Sequence, residues 1–175
     1  GVTTGALYNL FDNKDCIFEA LVSGVFDEFL NIMAHRDVFD AENFGMKTSD
    51  LSAITELSQR RFLRMIDFFY GNWDAMKLIV CCSKGSSYER IFDKAIAVTE
   101  KETFQWLKLD GVKMSRRIRF FIHVMVTSHF ENLKEIFYHN LKKSEAVKYV
   151  LDFNVYHCAG WKQYWMEQVK GLKRL

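Results

Sequence analysis

The sequence predicts an all-α fold, and three observations carry that prediction. The 175-residue chain contains no proline and only 9 glycines, whereas an ordinary domain of this length holds about eight prolines, so few built-in stops interrupt a helix. Apolar residues recur at helical spacing through most of the chain, with no strand-like alternation and no repeat of fixed period. With 49% hydrophobic and 15% aromatic residues, the chain can furnish the core of one domain and is too apolar for a disordered tail.

Taken in order, Thr3 is placed to cap a helix of about two turns that carries Val2, Ala6, Leu7, Leu10 and Phe11 on one side. Asp12-Asn13 breaks it, and Asn13 caps a long second helix to about His35, with Ile17, Leu21, Val25 or Gly24, Phe29, Ile32 and Met33 as its apolar stripe. Residues 37–49 lose the period, contain Gly45 and read as a connection. Ser49 or Asp50 starts the next helix, with Leu51, Ile54, Phe62, Met65, Ile66 and Phe69 in phase until Gly71. Asn72 is expected to cap a shorter helix through Lys84.

Ser86-Ser87-Tyr88-Glu89 matches the S-x-x-E capping box, so a helix is expected from there to about Leu109, stopped by Asp110-Gly111. Two long helices follow, about 115–141 and 144–170. On the first, Ile118, Ile122, Met125, His129, Leu133 and Ile136 form one stripe, and Phe130, Phe137 and Leu141 a second. The last helix is doubled in the same way: Val147, Leu151, Asn154, Cys158, Trp161 and Trp165 form one line, and Tyr149, Phe153, Tyr156, Gly160 and Tyr164 another. A helix with two apolar lines must be covered on both sides, so one line is expected to face a partner. Asn154, polar on an apolar line, is expected to fix helix register.

Formal net charge is +2, but residues 1–50 hold three basic residues against nine acidic ones, and residues 112–175 twelve against five. That is no nucleic-acid stripe in itself. The longest apolar runs, such as Leu78-Ile79-Val80-Cys81-Cys82, fall far short of the roughly 20 residues that span a bilayer, so no membrane segment is expected. Cys16, Cys81, Cys82 and Cys158 form no close framework, which points to reduced thiols and a cytoplasmic setting. Cys81 and Cys82 are adjacent on a helix and point about 100 degrees apart, so they read as small core residues rather than a thiol sensor. The five histidines, at positions 35, 123, 129, 139 and 157, make no ligand pattern, and neither a metal nor a cofactor is expected. No nucleophile elbow, phosphate loop or carboxylate pair is present, so the reading is not an enzyme.

The run Gly1-Val2-Thr3-Thr4-Gly5-Ala6-Leu7-Tyr8-Asn9-Leu10-Phe11-Asp12-Asn13-Lys14-Asp15-Cys16-Ile17-Phe18 resembles the TetR family of bacterial transcriptional regulators, whose helix-turn-helix ends in G-V-[ST]-x-G-x-[LI]-Y-x-x-F-x-x-K-x-x-[LI]-[FL]. Gly1 stands where the motif turns tightly, and Val2, Leu7 and Phe11 anchor the recognition helix. The resemblance implies that Thr3, Thr4, Tyr8, Asn9 and Lys14 contact DNA through phosphates and base edges. It divides the chain into residues 1–13, the remnant of a helix-turn-helix DNA-binding domain, and residues 14–175, a helical effector-binding and dimerisation domain. It also implies that two helices ahead of Gly1 are missing from this sequence, and that operator DNA is a partner of the full-length protein.

More loosely, the resemblance runs through the whole chain, including the segment from Phe153 to Trp165. It implies a homodimer built as an intersubunit four-helix bundle from the last two helices, with Phe130, Phe137, Phe153, Tyr156, Ala159, Gly160 and Tyr164 as interface candidates. The middle helices should enclose a pocket for a small lipophilic effector, with Phe69, Tyr70, Trp73, Met76, Tyr88, Phe92, Trp106 and His123 as candidate lining residues. The expected function is a ligand-responsive regulator, most often a repressor in that family. The alternative is a helical small-molecule-binding or scaffolding protein that no longer binds DNA.

Overall fold

Local chemistry sets most helix ends in the computed structural model, which describes residue 5 and residues 9–34, 51–109 and 111–172. Six helices are seen among them: α1 (Lys14–Ala34), α2 (Leu51–Gly71), α3 (Trp73–Cys82), α4 (Phe92–Leu109), α5 (Arg116–Tyr138) and α6 (Lys143–Leu172). The fold is all-α, as the missing prolines and the helical periodicity require. The expected helix around Thr3, the connection at 37–49 and the starts at Ser49 or Asp50 lie outside the described residues, apart from Gly5 in helical conformation and a turn at Asn9-Leu10.

Asn13 caps α1 as its side chain predicts, its Oδ1 accepting from the Cys16 N–H at 2.9 Å. Ser115 does the same for α5, accepting from Ile118 N–H at 3.2 Å. The stop after α4 is a Schellman motif: Gly111 takes φ +78°, its N–H donates to the Lys108 carbonyl at 3.0 Å, and Val112 N–H donates to Leu107 at 2.9 Å. Leu107 and Val112, at the two hydrophobic positions of that motif, are both buried. Asn140 ends α5 in the same way with φ +48°, and Leu141 N–H donates to Ile136 at 3.0 Å.

Two helix boundaries differ from expectation. Asn72 precedes α3 but makes no side-chain cap; its Nδ2 donates backward to Phe68 O at 3.2 Å, holding the end of α2. The Ser86–Glu89 box closes a turn instead of opening a helix. Glu89 Oε2 accepts from Gly85 N–H at 3.0 Å and Ser86 Oγ from Tyr88 N–H at 3.1 Å, while α4 begins only at Phe92. The turn docks on the start of α1, where Asp15 Oδ1 accepts from Ser87 N–H at 3.1 Å and Phe18 meets Tyr88 with ring centroids 5.7 Å apart. That tertiary anchoring competes with helix propagation through the box.

The helices pair in two main couples, α2 with α6 and α4 with α5; α1 packs on α3 and α4, and α3 on α5. The core between them is phenylalanine-rich. Phe29 lies 6.0 Å from Phe69 and 6.1 Å from Phe92, Phe92 meets Phe130 at 6.2 Å, and Phe137 stacks on Trp73 at 4.9 Å. On α1, Phe29 and Met33 are buried as the expected stripe requires, but Phe18, Val22 and Phe26 are the buried residues in the first half of the helix, and the expected Leu21 and Ile32 are 56% and 39% exposed. Both phases are apolar, and the one that adds Phe18 and Phe26 to the shared Phe29 removes more surface from water. Among the described residues no helix is long and apolar enough to cross a membrane.

Candidate functional site

A cavity of about 290 Å³ opens among α2, α4, α5 and α6, closed at one side by the last turn of α1. Its walls follow from helical periodicity. Thr99, Glu102, Thr103 and Trp106 of α4 recur at i, i+3, i+4 and i+7, as do Cys158, Trp161, Lys162 and Trp165 of α6, so each set makes one continuous stripe. From α2 come Thr55, Leu57, Ser58, Arg61, Phe62, Arg64 and Met65; α5 adds Val126 and His129, α6 also His157, and α1 Ile32 and Met33. Away from the cavity, phenylalanines of α1, α2, α4 and α5 pack against one another.

Beside the cavity, α5 and α6 meet through a chain of rings. Phe121 stacks on Tyr164 at 4.2 Å, and His129 lies 5.0 Å from His157 and 5.5 Å from Phe153. Trp161 Nε1–H donates to His157 Nε2 at 2.7 Å, which leaves that imidazole's proton on Nδ1. Tyr149 closes the series, its hydroxyl donating to Asn132 O at 3.0 Å. Burial pushes the Cys158 thiol up, against side-chain hydrogen bonds with Ser58 and Thr55 that pull it down, so it meets the cavity as a neutral thiol rather than a thiolate nucleophile. The Tyr164 phenol is likewise raised by burial, with Arg117 opposing.

Of the eight residues expected to line a pocket, Trp106 alone lines this cavity. Phe69, Met76 and Phe92 are buried in the solid phenylalanine core. Tyr70 donates its hydroxyl to Leu141 O at 2.5 Å and stacks on Trp73, so both serve the α2–α3 corner. Tyr88 is held against α1, and His123 is exposed on α5, 2.6 Å from Glu100. Aromatic content suggested the first group, whereas the cavity walls mix hydroxyls, charges and tryptophans. The legible signal was those mixed stripes at 99–106 and 158–165, too polar for solid core and too aromatic for a solvated face.

The interface candidates also separate. Phe130 and Phe137 are each 1% exposed within this one chain and cannot present a surface; they complete its own core against Phe92, Phe69 and Trp73. Phe153 is half-buried, 5.8 Å from Phe62, and Tyr164 is half-buried on Phe121. Tyr156, Ala159 and Gly160 are exposed, and a Cβ at Gly160 would meet nothing within 4 Å. On α5, Phe120 and Val124 are exposed as well, and the Phe121–Tyr164 and His129–His157 pairings set Val124 and Gly160 at one level of the antiparallel helices.

Of the five DNA-contact candidates, Thr3, Thr4 and Tyr8 lie outside the described residues. Asn9 is exposed, its N–H donating to Gly5 O at 3.2 Å, and Lys14 is exposed at the first residue of α1. Among the described residues no three His, Cys, Asp or Glu side chains gather as a metal site requires. Compared with protein-family models, curated proteins and solved structures, the chain matches none of them.

Proposed function

We propose that this chain is the greater part of a TetR-like, ligand-responsive transcriptional regulator, a repressor by that family's habit, which binds operator DNA as a homodimer. The observation that carries the reading is the amino-acid run from Gly1 to Phe18, in which two threonines, a tyrosine and an asparagine stand ahead of the Asn13 cap. α1 supports a mechanism. Its first residue, Lys14, follows that run directly, and its last turn supplies Ile32 and Met33 to the cavity. Its 21 residues span roughly 30 Å at about 1.5 Å per residue, so a ligand that displaces Met33 tilts the lever behind the recognition run. Two recognition helices must sit about one DNA turn, roughly 34 Å, apart to read both half-sites, so a small tilt lowers affinity. The exposed apolar side chains Phe120, Val124, Val155 and Tyr156 on α5 and α6 support the dimer.

The test is binding of the full-length protein to its own promoter DNA at two salt concentrations. Salt-sensitive binding to a palindromic site, weakened about tenfold or more by Tyr8→Ala, is the expected outcome. Absence of binding at low salt would sink the regulator. The second reading, a helical small-molecule-binding protein that does not touch DNA, is favoured by the excess of acidic over basic residues in positions 1–50, and that negative result would leave it standing.

A further inference from the structure

We propose that the end of the molecule where α4 turns into α5 docks on an anionic phospholipid bilayer, with Leu109 and Phe120 entering the headgroup layer and the surrounding cations meeting lipid phosphates. The inference stands apart from the regulator reading. It uses no part of the cavity and a surface remote from Lys14: Tyr88, ahead of α4, lies against Phe18 near the start of α1, whereas Trp106, near the end of α4, shares the cavity with Met33 of the last turn of α1.

Charge and exposure together decide the partner. Between positions 108 and 119 the sequence holds Lys108, Lys113, Arg116, Arg117 and Arg119 against one acidic residue, Asp110. All five cations are exposed, and among the described residues none of them is in an ion pair; Arg119 lies over the Phe104 ring at 5.2 Å, which keeps its charge. Carboxylates on the flanking helices are engaged elsewhere: Glu100 with His123 at 2.6 Å, and Glu167 accepting from Gln163 Nε2 at 3.1 Å. Val112 and Ile118 are buried beneath the turn, so the surface is already ordered before contact. Among these cations stand two large apolar side chains, Leu109 at 70% and Phe120 at 68% exposed. Phe120 follows Arg117 by three residues and Arg116 by four, so both guanidiniums flank its ring on the helix surface. That combination suits a lipid interface, where apolar groups leave water and cations meet phosphates. A soluble polyanion would use the cations and leave Leu109 in water. A second copy brought to this spot by a two-fold axis would set Arg116 and Arg117 against themselves. α1 exposes Glu19, Asp27 and Glu28, which an anionic surface repels, so the field of the molecule turns the basic end toward the bilayer.

Flotation of the full-length protein with vesicles of phosphatidylcholine alone, and of phosphatidylcholine mixed with phosphatidylglycerol, reads the contact. Binding is expected to be about tenfold or more stronger on the anionic vesicles and to fall severalfold as salt is raised. The double variant Arg116→Gln/Arg117→Gln and, separately, Leu109→Ser should each weaken it severalfold with helical circular dichroism unchanged. Leu109→Ser keeps every charge, so it separates insertion from charge alone. Equal binding to both vesicles, binding to neither, or anionic binding untouched by the arginine variant or by Leu109→Ser would each overturn the proposal. Random duplex DNA or polyglutamate bound more tightly than the anionic vesicles, and lost in the arginine variant, would assign the surface to a nucleic acid or an acidic protein and overturn it as well. Vesicle binding by a protein that ignores its promoter leaves this inference intact and removes only the regulator.

Discussion

Phe130 shows how much a single ring carries in this core: it is 1% exposed, with Phe92 at 6.2 Å on one side and His129 at 5.6 Å on the other. Truncating it removes the side chain's transfer free energy and leaves a cavity that neighbouring rings fill only in part. Phe130→Ala should therefore cost about 3–5 kcal/mol in a urea melt, and a cost near zero would mean that the ring is not core. Sequence alone placed this residue on a partner-facing stripe, because a phenylalanine on a helix has the same spacing whether the surface covering it belongs to its own chain or to another. Asn154 was legible as a register residue. It is 2% exposed and joins α6 to α2 through Nδ2–H donating to Thr55 O at 3.4 Å, while its Oδ1 accepts from the Cys158 thiol at 3.3 Å.

At the scale of elements, helix ends were readable wherever the stop or start is made by the residue itself. Asn13, Ser115 and Gly111 act through their own hydrogen bonds or dihedrals, and each stands where the sequence predicted a boundary. Gly111 is the sharpest case, since its φ of +78° lies where an L side chain meets the backbone. Gly111→Ala is expected to destabilise the protein by about 1–2 kcal/mol in the same urea melt, although no neighbouring atom lies within 4 Å of the added Cβ. A neutral result would show that the turn relaxes out of the left-handed region. The Ser86–Glu89 box failed for the opposite reason: Asp15 and Phe18, some 70 residues earlier in the chain, decide what that turn does.

Across the molecule, the titratable groups that burial perturbs share one direction. The phenols of Tyr70, Tyr149 and Tyr164 are raised from the ordinary 10.0 and the Cys158 thiol from the ordinary 9.0, with burial the largest cause in each. A folded-state pKa above the unfolded one means that the native protein holds these protons more tightly. Their contribution to stability is thus complete below about pH 9 and is lost as pH rises through the raised values. Melting temperature should stay level from neutral pH to about pH 9 and then fall, with Tyr149→Phe reducing the alkaline slope. A melting temperature that holds steady well beyond the phenol range would contradict the burial of these rings. The same packing explains why the cavity escaped a reading by aromatic content: the buried phenylalanines pack against one another, whereas hydroxyls, cations and tryptophans line this cavity.

What the sequence determined by itself is the all-helical class and several helix ends, because hydrogen-bond caps, φ preferences and 3.6-residue periodicity operate over a few neighbouring residues. Only the tertiary structure decided which apolar face of α1 is buried, that Phe130 and Phe137 serve this chain's own core, and where the cavity lies. Those outcomes depend on which distant helix covers a given face. Burial is a property of two surfaces meeting, and a sequence displays each surface without its partner.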